Sequence, residues 1–293
     1  MPRIAIIGAG YIGRLVARRH LAQHDSVVGL SRGRETLHRF AATGADTAQI
    51  DLDKDDLTEP GCFSGIRLYY FAPPPAKGTE DSRLKHFLES LGDNKPEKFL
   101  LISTTGVYGD CNGEWVDETR APNPRQDRAK RRLNAEQQLE TWCASRDIPH
   151  VILRVPGIYG AERLPFERLK QQTPILAAQD CPFTNRIHAH DLAALCQLSM
   201  ENAQVQGIFN VSDNEPSTLY DYFLAVARTF GLQPPPVISR EEASDKLSPG
   251  ILSYLGESRR IDNRKLLKLL HYDLQYPTLR EGLIQCQSEL ESA

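Results

Sequence analysis

The sequence predicts a doubly wound α/β fold: a parallel sheet with helices on both faces, followed by a smaller C-terminal mixed α/β lobe. Three observations predict it. Short runs rich in Val, Ile, Leu and Tyr alternate with amphipathic segments through roughly the first two hundred residues. The runs are continuously apolar rather than alternating, as in strands covered on both faces. The first of them ends in a glycine-rich turn and leads into a helical pattern.

Taken in order, strands are expected over 3–8, 26–31, 47–52, 67–72, 98–104 and 150–155, with helices over 11–21, 34–42, 80–91 and 125–145 between them. After Val155 the pattern breaks into shorter pieces, including ERLPFERLKQQ, HDLAALCQLSM and STLYDYFLAVARTFG. The run QPPPV at 233–237 reads as a rigid surface connector. Residues 1–160 are expected to form the sheet domain and 161–293 the smaller lobe, with a strand near 207–212 returning to the main sheet.

Charge and composition narrow the function classes. The 35 Lys+Arg against 38 Asp+Glu leave a formal charge of -3, which argues against a nucleic-acid partner despite the local run Arg125, Arg128, Lys130, Arg131 and Arg132. The apolar start MPRIAIIGAG is too short for a signal-peptide core or a membrane span. Six cysteines without a CxxC pair fit reduced thiols, so a cytoplasmic protein with no membrane association is expected.

The turn is Gly8-Ala9-Gly10-Tyr11-Ile12-Gly13. Between a strand and a helix, this GxGxxG spacing permits a tight turn and lets a pyrophosphate reach the N–H groups at the helix start. The expected cofactor-binding residues are therefore Gly8, Gly10, Tyr11, Ile12 and Gly13, joined by Ser31, Arg32, Asp51 and Ala72 at the ends of later strands. Where an NAD-specific site places an acid at the end of strand two, this chain has Ser31 and Arg32. A guanidinium there meets the 2′-phosphate of NADP with paired bonds, so NADP is expected, with NAD as the alternative. An exposed loop arginine is the competing reading of Arg32, and a turn residue that of Asp51.

Strand five ends in Ile102-Ser103-Thr104-Thr105-Gly106-Val107-Tyr108-Gly109. Later stretches read Leu153-Arg154-Val155-Pro156-Gly157-Ile158-Tyr159-Gly160, Asn185-Arg186-Ile187-His188 and Phe209-Asn210-Val211-Ser212-Asp213. Together with the N-terminal glycines, these resemble the extended short-chain dehydrogenase/reductases of the epimerase/dehydratase branch, in order and over nearly the whole chain. The resemblance implies a Rossmann domain with a C-terminal substrate lobe, and it matches Thr104 to the family's catalytic Ser/Thr. It also calls for a tyrosine and, four residues on, a lysine. Matching the family's K-x-x-A-E tail to Arg132–Glu136 puts Arg128 and Arg132 at those two positions, so the pair is absent.

At roughly 100° per residue, Arg128 and Arg132 fall on the line through Ala135, Leu139 and Trp142, whereas Lys130 points to the far side. That phase fits two arginines facing a polar cleft; an ion pair of Arg132 with Glu136 is the competing reading. Arginine stays protonated and is a poor proton carrier, but it clamps phosphate or carboxylate and stabilises an oxyanion. Thr104, Arg128 and Arg132 are thus the expected catalytic residues, and Tyr108, Tyr159 and Arg186 the expected substrate contacts. His188 and His190 lack an evident third ligand, Asp191 reads as a helix-start residue, and no metal site is expected. Two functions follow. One is an NAD(P)-dependent oxidoreductase or epimerase/dehydratase-like enzyme on a small anionic carbonyl or sugar. The alternative is a non-catalytic NADP-binding redox sensor or interaction protein on the same fold. Like charges at Arg125, Lys130 and Arg131 predict a monomer or a weak homodimer.

Overall fold

The computed structural model describes residues 3–55 and 61–292. Seven parallel strands form the central sheet. Five are β1 (Arg3–Ile7), β2 (Ser26–Ser31), β3 (Asp46–Gln49), β4 (Ile66–Tyr70) and β5 (Lys98–Thr104). The other two are the strands His150–Val155 and Gly207–Asn210. From one edge the order is Gly207–Asn210, His150–Val155, β5, β4, β1, β2, β3. The chain thus winds outward from β1 in one direction and then in the other. The crevice above β1 and β4 is the switch point where open α/β sheets bind ligands.

The helices α1 (Tyr11–Ala22), α2 (Arg34–Ala41), α3 (Ser82–Ser90) and α4 (Asp127–Ala144) lie close to their expected spans. One face of the sheet packs on α1 and the helix Ala189–Glu201, with Phe40 pressed on Gly29. The other packs on α3 and α4 through Phe87, Phe99, Leu139 and Trp142. β3 departs from the expected strand. It spans Asp46–Gln49, and all four residues are exposed, because an edge strand of sequence DTAQ has no apolar side chain but an alanine to bury.

The smaller lobe has its own core around Tyr159, Leu169, Tyr222, Phe223 and Leu283. Capping boxes at Thr218/Asp221 and Thr278/Glu281 start its two longer helices, Leu219–Thr229 and Leu279–Glu291. The short strand Arg260–Ile261 pairs with Trp115–Val116, fastening the tail of the chain beside the end of β5. No helix among the described residues is long and apolar enough to cross a membrane.

Candidate active site

Gly8 turns the chain out of β1 with φ +96°, and a Cβ there would lie 2.5 Å from the Ala72 nitrogen and 2.7 Å from the Phe71 carbonyl carbon. Only glycine fits both the dihedral and the approach. The turn is held by Gly8 and Ala9 N–H groups donating to the Leu30 carbonyl at 2.8 and 3.3 Å. The first helical bond of α1 runs from Arg14 N–H to the Gly10 carbonyl at 2.9 Å. The amides of Tyr11, Ile12 and Gly13 therefore precede the helical ladder, Gly10 supplies no side-chain cap, and the first turn holds no acid. A bare, uncapped helix start behind a cradle that any Cβ would fill fits a dinucleotide pyrophosphate. Tyr11 can serve only through its backbone. Its ring is buried against Gly160.

A groove of about 310 Å³ runs from Gly8 and Ala72 past Ser31, Arg32, Asp51 and Asp53. Arg32 is 68% exposed and pairs loosely with Asp53 at 3.5 Å and Asp51 at 3.9 Å. Asp53 is held by a partner that the sequence did not reveal: Arg83 of α3 grips both its oxygens at 2.8 and 2.6 Å. That hydrogen-bonded arginine keeps the Asp53 carboxyl below its ordinary pKa. Arg32 is thereby left with the weaker pairing and a solvated head.

Next to this groove, from Pro73 to Pro74, a cleft of about 380 Å³ brings Thr104, Arg128 and Arg132 together with Tyr254, Glu257 and Arg259. A smaller compartment of about 180 Å³ shares Thr104, Tyr254, Glu257 and Arg259 and adds Thr184 and Asn185. Thr104 both lines the cleft and caps its own turn, its Oγ1 accepting from the Gly106 amide at 3.2 Å. Arg128 is exposed and donates to Ser253 Oγ at 2.8 Å. Arg132 is half-buried, and its Nη1 is buried without a partner. Burial lowers its pKa, opposed by the charges of Asp81, Tyr70 and Glu136. The carboxylate of Glu136 is taken instead by Arg154, at 2.7 Å, and by Ser103. Arg131, counted among the like charges that would oppose a dimer contact, is buried and donates to the Gly78 carbonyl, because the 73–81 loop folds over that side of α4.

Three expected substrate contacts lie elsewhere. The Tyr108 ring is 1% exposed and its hydroxyl donates to Asn210 at 2.8 Å, held there by the lobe's return to the sheet. Tyr159 is buried in the lobe core, its ring against Gly282 and His188. Arg186 is 4% exposed, stacks over Tyr222 and donates to Thr184 and Ser217 at 3.0 and 2.8 Å. Asp191 lies in the first turn of the helix Ala189–Glu201. Its carboxylate accepts from Tyr272, Gln275 and Tyr276, pinning the tail.

Beside Arg186, burial pushes the Asp213 carboxyl up to about 8, against the opposing pull of the Glu215 amide and the Arg186 charge. A carboxyl raised in the folded state contributes stability that is complete below its unfolded value and is lost as pH rises through its folded one. Stability should thus fall between about pH 4 and pH 8, by at most about 1.4 kcal/mol per pH unit. Asp213→Asn should remove this slope. Urea unfolding of both proteins at several pH values tests it, and parallel profiles would refute it.

A family model described as NAD(P)H-binding matches residues 8–202. Protein YeeZ of Escherichia coli K12 is 23% identical over 288 residues, covering 94% of this chain and 97% of that protein. Methionine adenosyltransferase 2 subunit beta of Danio rerio is 26% identical over 159 residues, 50% of this chain and 48% of that one. Among solved structures, a functionally unknown conserved protein from Silicibacter pomeroyi superposes with a TM-score of 0.82 at 28% identity, covering 99% of both chains. UDP-glucuronic acid 4-epimerase from Bacillus cereus, in complex with UDP-glucuronic acid and NAD, superposes with a TM-score of 0.78 at 21% identity over 99% of both chains. The fold is that of the NAD-dependent epimerases.

Proposed function

The chain belongs to the NAD(P)H-binding family, and from that premise we propose that it is an NADP-preferring oxidoreductase or epimerase-like enzyme acting on a small anionic carbonyl or sugar. One observation carries the reading. Thr104, Arg128 and Arg132 line a single cleft that meets the dinucleotide groove at Pro73 and Pro74.

Gly8, Gly10 and the first amides of α1 would hold the pyrophosphate, with Ala72 and Asp51 along the groove and Ser31 and Arg32 at the ribose 2′ position. When bound, the dinucleotide supplies or accepts hydride. Thr104 Oγ1 orients the ligand oxygen. Arg128 and Arg132 attract an anionic ligand and stabilise negative charge on its oxygen. Six cysteines without a CxxC pair are consistent with a reducing compartment such as the cytoplasm.

A second reading has its own support. Neither Tyr108 nor Tyr159 reaches the cleft, arginines stand where the family's tyrosine and lysine would be, and one relative is named as a subunit of a methionine adenosyltransferase. A non-catalytic NADP-binding protein would look the same at the groove and differ only in turnover.

Titration of NADPH and NADH by fluorescence separates these readings from a bare fold. NADPH should bind about tenfold to a hundredfold more tightly, the equivalent of about 1.5–3 kcal/mol for hydrogen bonds to a charged group. Arg32→Asp should narrow or reverse the gap. Equal affinities in the parent protein would remove Arg32 from the cofactor site. Turnover of anionic aldehydes with NADPH then separates enzyme from binding protein.

A further inference from the structure

Two charged side chains in the cleft, Glu257 and Arg259, arrive from the tail of the chain. Glu257 is 8% exposed and Arg259 9%. Each uses one end of its head group on the other: Arg259 Nη1 donates to Glu257 Oε2 at 2.8 Å. The same Nη1 donates to the Gly109 carbonyl at 2.6 Å, so the pair is braced on the turn that follows Thr104. The neighbouring Ser258 is also fixed, by Phe183 N–H donating to its hydroxyl at 3.0 Å and by its own N–H donating to Asp110 at 2.9 Å.

The other ends are unused. Glu257 Oε1 and Arg259 Nε are both buried without a hydrogen-bond partner, and so is Arg132 Nη1 in the same cleft. An unpaired acceptor and two unpaired cationic donors on residues lining one cavity leave costly groups unsatisfied unless a ligand or ordered water completes them. The donors call for an anionic group. The lone carboxylate oxygen calls for an O–H or N–H, which a simple carboxylate at neutral pH does not offer.

We propose that Glu257 and Arg259 form a paired acceptor and donor for a hydroxylated organic anion. Glu257 Oε1 receives the ligand's hydroxyl proton in a hydrogen bond, and Arg259 Nε together with Arg132 meets its anionic oxygens. This rests on the reading of the cleft as the substrate site and makes it more specific, to a sugar acid or hydroxy acid. It also supplies what arginines at 128 and 132 cannot: a group able to hold a proton beside the ligand oxygen that Thr104 touches.

The test compares D-glucuronate, a ring carboxylate bearing hydroxyls, with cyclohexanecarboxylate, a ring carboxylate bearing none. Calorimetric titrations are run on the full chain with and without NADPH. The parent should bind D-glucuronate at least tenfold more tightly. Glu257→Gln should erase that preference without weakening cyclohexanecarboxylate, and it should lower the melting temperature because buried Arg259 loses its counter-charge. Arg259→Gln should weaken both ligands. Should Arg259→Gln fail to fold through loss of its Gly109 contact, the Glu257→Gln comparison stands alone. The proposal is overturned if the parent shows no preference between the two anions, or binds neither, or if Glu257→Gln keeps the preference. NADPH titration of the same samples keeps the two ideas apart. Normal NADPH binding with no anion preference overturns this inference and leaves the cofactor reading standing. Anion preference without NADPH binding does the reverse.

Discussion

Glu136→Gln is expected to lower the unfolding free energy by about 3–5 kcal/mol, the range for removing one partner of a buried ion pair. Glu136 and Arg154 are 1% and 3% exposed. Arg154 Nη2 donates to Glu136 Oε2 at 2.7 Å, its Nε reaches both carboxylate oxygens at 3.2 Å, and Ser103 donates to Oε1. The guanidinium also lies over the Tyr108 ring at 4.7 Å. Burial opposes the Arg154 charge, and the Glu136 carboxylate more than restores it, so its pKa is raised. With glutamine in place, the same cation stays buried with no counter-charge. Urea unfolding followed by far-UV circular dichroism measures the loss, and a change under about 1 kcal/mol would show that the pair contributes little. The double variant Glu136→Leu, Arg154→Met should recover much of the stability, since apolar replacement of a whole buried pair is often neutral or better. The pair ties α4 to β5 and to the strand His150–Val155, so it sets where the start of α4 stands over the cleft.

The sheet was legible because its information is local. A strand covered on both faces must be continuously apolar, and β1, β4, β5 and His150–Val155 each announce themselves in a handful of residues. β3 was less legible because an edge strand carries no such requirement. Helical phase was enough to put Arg132 with the cleft, since a period of roughly 3.6 residues fixes a side chain's direction once the apolar stripe is known. The same phase puts Arg131, four residues before Ala135, on the apolar side as well, but it could not show that the loop before α3 takes its guanidinium. Glu257 and Arg259 lie about 150 residues from the turn they brace, and Arg83 lies 30 residues from Asp53. Such pairings depend on topology rather than on any spacing. Tyr108 and Tyr159 stand beside strand ends where ligands bind, yet which way a ring turns there is decided by partners such as Asn210 and Gly282, far away in the chain.

Arg132→Ala should weaken NADPH or anion binding by about 1.5–3 kcal/mol, the loss of hydrogen bonds from a charged donor. It should also destabilise the fold, because Arg132 is one of two arginine charges acting on Asp81, the fully buried acid that caps α3. Burial raises the Asp81 pKa, and the charges of Arg132 and Arg83 hold that rise in check. Without Arg132 the carboxyl should rise further. Arg132→Lys keeps the charge near Asp81 but not the fork, so it should restore stability while leaving binding impaired. That split between melting and binding is what a purely structural arginine would not show. Arg128→Ala, which gives up only an exposed bond to Ser253, should leave stability intact and weaken the anionic ligand more than NADPH. The paired change Arg128→Tyr with Arg132→Lys installs the two residues that the epimerase family uses. In an enzyme it should alter the pH dependence of turnover or create activity on a simple carbonyl. In a binding protein it should hold NADPH and turn over nothing. If both single alanine variants bind NADPH and D-glucuronate as the parent does, then Arg128 and Arg132 take no part in binding and the cleft owes its specificity to Glu257 and Arg259 alone.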